Sequence, residues 1–136
     1  MTTTERSTGF LLMRKLKKGK IAKNLAKEIV LMMLQYKKFV LSITSDNGCE
    51  FYEHKMIAKK LQTEYFFAHP YSSWERGLNE YTNKLIRQYI PKKQLFDQFD
   101  NNKIIIIQHK INKRHRKILN FENPKYFFYN KIALLS

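Results

Sequence analysis

The chain has 136 residues, 43% of them hydrophobic, which suits one domain with a modest core and excludes a disordered polycation. Its 26 lysines and arginines outweigh 11 acids, and the resulting charge of +15, spread along the whole length, points to a polyanionic partner. The apolar runs IVLMML and IIII are too short to span a bilayer. The start, MTTTERSTG, lacks the basic-then-apolar order of a secretion signal. One cysteine, Cys49, excludes an internal disulfide and a cysteine-based zinc site. These features together predict a cytoplasmic, nucleic-acid-facing protein. The richness in Lys, Ile, Asn, Phe and Tyr also fits A/T-rich coding, which adds lysines whatever the function.

TTTERSTGFLLMRKL predicts two short strands around a turn at Arg6 to Gly9, with β-branched Thr2 to Thr4 in the first. LKKGK reads as a loop. Ile21, Leu25, Ile29 and Met33 recur every four residues beside Ala22, Ala26 and Val30, which predicts one amphipathic helix over 20–34. KFVLSIT predicts a mostly apolar strand buried inside a sheet, ending at Asp46 and broken by Asn47-Gly48. A short helix over 53–61 and a strand at TEYFFA follow. Pro70 opens a loop through Ser73, and 75–89 reads as a helix stopped by Pro91. The stretch 102–119 reads as a helix, although its IIII run suits a strand equally. The tail FENPKYFFYNKIALLS is ambiguous. The order is that of a mixed α/β fold, without internal repeats or an interdomain linker.

HPYSSWERGLNE holds two glutamates, Glu75 and Glu80, with different surroundings. Leu78, Leu85 and Tyr89 form the apolar stripe of their helix, and Glu80 lies about 200° away from Leu78. Arg76, Asn83, Lys84 and Arg87 share its side. On spacing alone, solvated ion pairs are the simpler account of an acid among these cations. Glu75 falls in the first turn, where a carboxylate complements the helix dipole. A hard divalent cation wants oxygen ligands, and an aspartate at a strand end with a glutamate on a helix supplies them. Thirty-three residues separate Asp46 from Glu80.

At this point a resemblance becomes specific. ITSDNGCEF, AHPYSSWERGLNEYTNKLIRQYIPK and NKRHRKIL resemble the catalytic domain of bacterial insertion-sequence transposases, in particular the insertion-sequence-thirty family of the integrase-like DDE superfamily. The likeness runs from about residue 3 to 128. It implies a ribonuclease H-like mixed sheet flanked by helices, and an Asp-Asp-Glu triad that holds two Mg²⁺ or Mn²⁺ ions to cut and join DNA. Asp46 would then be the second acid and Glu80 the third, both as catalytic metal ligands. Arg87, seven residues beyond Glu80, matches a position that touches DNA near the site.

The first aspartate of such a triad belongs on a strand ahead of the one that TTTERSTGF resembles. No aspartate precedes Asp46, and Glu5 matches a separate acidic position. The expectation is a C-terminal transposase fragment, lacking the first strand and the helix-turn-helix region and inactive alone. Its core would cover about 2–90, with a basic helical extension over about 91–136. Arg76, Lys84 and Arg87 would hold double-stranded DNA, joined by Lys113, Arg114, Arg116 and Lys117 of HKINKRHRK. Full-length transposase subunits are a second expected partner, in the bacterial cytoplasm with the nucleoid; no membrane is implied. The alternative is a non-catalytic DNA-binding remnant that modulates a full-length transposase. A ribosome- or RNA-associated basic protein fits the charge but not HPYSSWERG. His115 and Asn123 depart from the family, which favours proline and threonine there.

The remaining candidates have plainer readings. Tyr65, Phe66 and Phe67 are expected in the core, and Cys49 buried or half-buried. Trp74 suits base stacking and packing evenly, and His69 suits a phosphate contact or a packing role. His54, His109 and His115 show no metal-ligand spacing.

Overall fold

In the computed structural model, which describes residues 1–16, 21–69, 77–92 and 98–135, the first turn is built by Glu5. Its carboxylate accepts the Ser7 and Thr8 backbone N–H groups at 2.9 and 2.8 Å and both of their hydroxyls. Gly9 completes the turn at φ +75°, a left-handed conformation that costs a side-chain-bearing residue strain. The turn joins strands β1 (Thr2–Thr4) and β2 (Leu11–Met13), antiparallel with Thr2 opposite Met13. The hairpin expected there is present.

Contacts divide the chain into two units, Met1–Lys15 with Arg76–Ser136, and Leu16–Glu75. In the first, helices α3 (Gly77–Tyr89) and α4 (Asn101–Asn112) close over β2. Leu11 and Met13 meet Leu85, Ile86 and Ile90, and Ile104, Ile107 and Ile111 come from α4. The isoleucine run is therefore helical. Asp100 starts it by accepting the Lys103 N–H at 2.8 Å, and the 3.6-residue period turns Ile104 and Ile107 inward. Ile105 and Ile106 face outward. The segment beyond residue 90 thus contributes directly to this core rather than trailing from it.

Two side chains of α4 take the place of a strand. Asn112, 1% exposed, accepts the Leu11 N–H and donates to the Leu11 carbonyl, both at 2.8 Å. One turn earlier Gln108 accepts the Met13 N–H at 2.7 Å. Both backbone groups of Leu11 and the Met13 N–H, on the side of β2 away from β1, are thereby satisfied by amide side chains. Helix α5 (Pro124–Leu135) begins with proline at its first position and an Asn123 side chain accepting the Tyr126 N–H at 2.8 Å. It packs Phe128 flat on Phe10, ring centroids 4.1 Å apart.

The second unit contains α1 (Ala22–Met33), α2 (His54–Leu61) and the parallel strands β3 (Ser42–Ser45) and β4 (Glu64–Phe67), Ile43 opposite Tyr65. Helix α1 buries Leu25, Ala26, Ile29, Met32 and Met33, the stripe its four-residue repeat foretold. KFVLSIT behaves otherwise. Its first residues belong to a 3-10 turn over Leu34–Phe39, and Leu41 is 87% exposed. Strand β3 alternates between exposed and half-buried positions, because among the described residues it has one partner strand and one covered face. The β4 aromatics follow the same rule: Tyr65 and Phe67 are half-buried and Phe66 is exposed, so none is a fully buried core residue. The antiparallel and parallel pairs are separate two-stranded sheets. No described helix is long and apolar enough to cross a membrane.

Asn112→Ala should orphan both Leu11 backbone groups at about 1–3 kcal/mol for each buried group, and urea unfolding followed by circular dichroism should show a lower midpoint. Gln108→Ala should lower it less, since that bond is only partly buried. Glu5 has its own signature. Burial pushes its carboxyl up, but the hydrogen bonds from Thr8 and Ser7 outweigh this and hold it below the ordinary 4.5. A depressed folded value adds stability above pH 4.5 that is lost as pH falls through it, so Glu5→Gln should flatten the acid arm of the stability profile.

Candidate functional site

Strands β3 and β4 run parallel and finish at the same end of their pair, where the Ala68 N–H reaches the Ser45 carbonyl at 2.7 Å. Asp46 follows immediately and is exposed. The carboxyl ends of parallel strands are where open α/β sheets place their ligands. Behind Asp46 stands an aromatic shelf, His54 lying 5.6 Å from Tyr65 and 4.9 Å from Phe67 between ring centroids. Burial raises the Tyr65 hydroxyl above its ordinary pKa, and the negative charge on Asp46 adds to this. The loop beyond carries an acid that the sequence reading passed over. Glu50 folds its carboxyl back so close to Gly48 that a Cβ there would collide with it. Cys49 is exposed, not buried as its residue type suggested, because it opens a short 3-10 turn at the surface.

Glu80 belongs to the other unit. It stands exposed in the first turn of α3, so the dipole argument made for Glu75 applies to Glu80 as well. The opposite face buries Thr82, Leu85 and Ile86, with Leu78 and Tyr89 half-buried, a broader stripe than expected. Lys84 and Arg87 are exposed, and the Arg87 guanidinium donates to the Ile90 carbonyl at 3.3 Å. Trp74, Glu75 and Arg76 lie outside the described residues; His69 is exposed. Asp46 and Glu80 thus come from different units. Among the described residues no three of His, Cys, Asp or Glu are grouped to hold a metal ion.

The basic run after α4 is not uniform. Lys113, Arg114 and Lys117 are exposed, and Arg114 is tied to α3 through the Gln88 side-chain oxygen at 2.6 Å. Arg116 is the exception, and the surface patch loses it. It is 8% exposed, its guanidinium donating to the Ile111 carbonyl at 3.1 Å and lying 5.5 Å from the Tyr81 ring centroid. Its backbone holds Glu122 and Phe121 across the turn where Asn120 and Phe121 adopt positive φ. Sequence alone gave no sign of this inward turn.

The fold these elements make is that of an integrase catalytic core, ribonuclease H-like. The structure aligns with the catalytic core domain of BIV integrase at a TM-score of 0.71, covering 98% of this chain and 86% of that one at 18% identity. No protein-family model matches the chain. Its sequence relatives are more telling. It is 45% identical over 124 residues to the transposase for insertion sequence element IS4351 of Bacteroides fragilis, an alignment that takes in 91% of this chain and 38% of that protein. The transposase InsI for insertion sequence element IS30A of Escherichia coli K12 is 38% identical over 68% of this chain and 24% of its own length. A probable transposase for the IS1161 element of Streptococcus salivarius is 34% identical over 94% of this chain and 36% of its own length. The chain belongs to this family of insertion-sequence transposases, and spans well under half the length of these relatives.

Proposed function

We propose that the chain is part of the catalytic region of an insertion-sequence transposase, acting on double-stranded DNA. The observation that carries this reading is the exposure of both family-matched acids, Asp46 at the carboxyl end of a parallel pair and Glu80 among the cations of α3. Their oxygens fit a hard cation such as Mg²⁺ or Mn²⁺. Bound ions of this kind polarise the attacking and leaving oxygens of a phosphodiester displacement. Asp46 and Glu80 are the proposed ligands. Lys84, Arg87, Lys113, Arg114 and Lys117 hold DNA phosphates, whereas Arg116 is committed to the fold; Arg76, outside the described residues, is proposed to join them as a cation on the Glu80 side of the helix by sequence spacing.

The family uses three acids, and these 136 residues carry two of the matching positions, Asp46 and Glu80. The 136-residue chain should therefore neither cut nor join DNA in Mg²⁺ or Mn²⁺. The second reading is that the chain binds DNA in the bacterial nucleoid and associates with full-length transposase subunits, modulating them, which the cations of α3 and of the run after α4 support only as far as DNA. Incubating the purified chain with element-end duplexes tests the point. Cleavage or joining that is lost in Asp46→Asn would overturn the incompleteness and leave the metal assignment standing. In an enzyme supplied with the first strand and its aspartate, Glu80→Gln should abolish cleavage and Glu75→Gln should leave most of it.

The two kinds of basic residue should separate in one experiment. Lys117→Ala should keep the unfolding midpoint, weaken duplex binding across sequences alike, and lower the salt slope by about one. Arg116→Ala should lower the midpoint and, at equal folded fraction, leave the slope unchanged. A flat salt response of the unmodified chain would remove phosphate binding from the proposal.

A further inference from the structure

Beside the start of α5 lies a groove of about 610 Å³ lined by Lys113, Asn123, Lys125, Tyr126, Tyr129 and Asn130, all within one unit. It is a shallow groove open to solvent rather than an enclosed cavity. The lining has two cationic heads, two phenol rings, two amides and no acid. Tyr126 is 53% exposed and Tyr129 46%, so both rings present surface to solvent. Tyr129 is nonetheless set in orientation, edge-on to Phe10 at 5.8 Å and to Phe128 at 5.6 Å between centroids. Asn123 is set as well, by capping α5. The site combines flat apolar faces, amide hydrogen-bonding groups and positive charge.

We infer that this groove seats an unpaired nucleotide of DNA, its base against Tyr126 and Tyr129 and its phosphate between Lys113 and Lys125; the inference rests on the DNA reading above. Bases inside a duplex bury their faces against one another, so ring stacking of this kind reaches only a base that has left the stack. Lysines supply the phosphate contacts that track a backbone, and an aromatic platform tolerates any base. Lys113 also opens the exposed run with Arg114 and Lys117, so a strand leaving the proposed duplex surface would meet the groove directly. An acidic peptide would match the charge but has no planar base for the two rings.

The test compares three labelled DNAs by fluorescence anisotropy with the full chain: a blunt duplex, the same duplex with a short unpaired extension, and one whose extension is abasic. The abasic arm keeps the phosphates and removes the stacking. The extension with bases should bind about tenfold tighter than the abasic one. Tyr126→Ala should erase this difference and Tyr126→Phe, which keeps the ring, should restore it, with unchanged circular dichroism showing that both variants fold. Equal affinity for the two extensions, persistence of the preference in Tyr126→Ala, or equal competition by a polyglutamate peptide of the same charge would overturn the inference. Failure to bind the blunt duplex counts against the DNA-binding surface proposed above and leaves the groove to be judged on the extension pair alone.

Discussion

The amide clasp between Asn112 and Leu11 is the constraint on which the first unit depends. Leu11 and Asn112 are 101 residues apart and both nearly inaccessible, so the two hydrogen bonds lock the N-terminal hairpin to α4 at one register. A shift of α4 by one residue would bring Ile111 or Lys113 to the place of Asn112 and leave the Leu11 backbone groups without their amide partner. Everything that follows α4 inherits this placement, including the exposed Lys113 and Arg114 and the buried Arg116. The clasp also removes an edge. With Asn112 and Gln108 on its backbone groups, β2 no longer offers them as a template for another strand.

Part of this was legible in the sequence. β-branched Thr2 to Thr4 ahead of Gly9 announced the hairpin, whereas the hydrogen bonds by which Glu5 builds its turn were not foreseen. The repeat from Ile21 to Met33 announced α1, since only a helix brings residues four apart onto one face. The isoleucine run was undecided by its residue types, which suit strands, and was settled by the cap at Asp100. KFVLSIT misled because an apolar run says how greasy a strand is and not how many neighbours it has. Asn112 gave no warning at all: an amide in a basic, isoleucine-rich stretch looks like surface until its partner at Leu11 is known.

The site was legible in a different way. Asp46 and Glu80 were picked out by motif, and what the structure adds is their local setting, one at a strand end before an aromatic shelf and one in a helix's first turn. Spacing could not say that they belong to different units. Nor could it sort the cations. Arg114, Arg116 and Lys117 lie within four residues, yet Arg114 ties to Gln88, Arg116 turns inward beneath Tyr81, and Lys117 remains at the surface. A run of charge specifies a potential, and the backbone path decides which members of it are spent on holding the chain together.

The division of the chain has a consequence for synthesis. One unit is continuous over Leu16–Glu75, whereas the other is assembled from the first fifteen residues and everything from Arg76 onward. As the polypeptide emerges from the ribosome, the continuous unit meets all its partners early and can close while translation continues. The hairpin cannot. It emerges ahead of the continuous unit yet waits for α4, leaving Leu11, Met13 and the backbone groups that Asn112 and Gln108 later meet without partners until α4 has been made. The nascent hairpin is thus held open for as long as the continuous unit takes to be made, and it is there that a chaperone or a neighbouring strand would compete with Asn112.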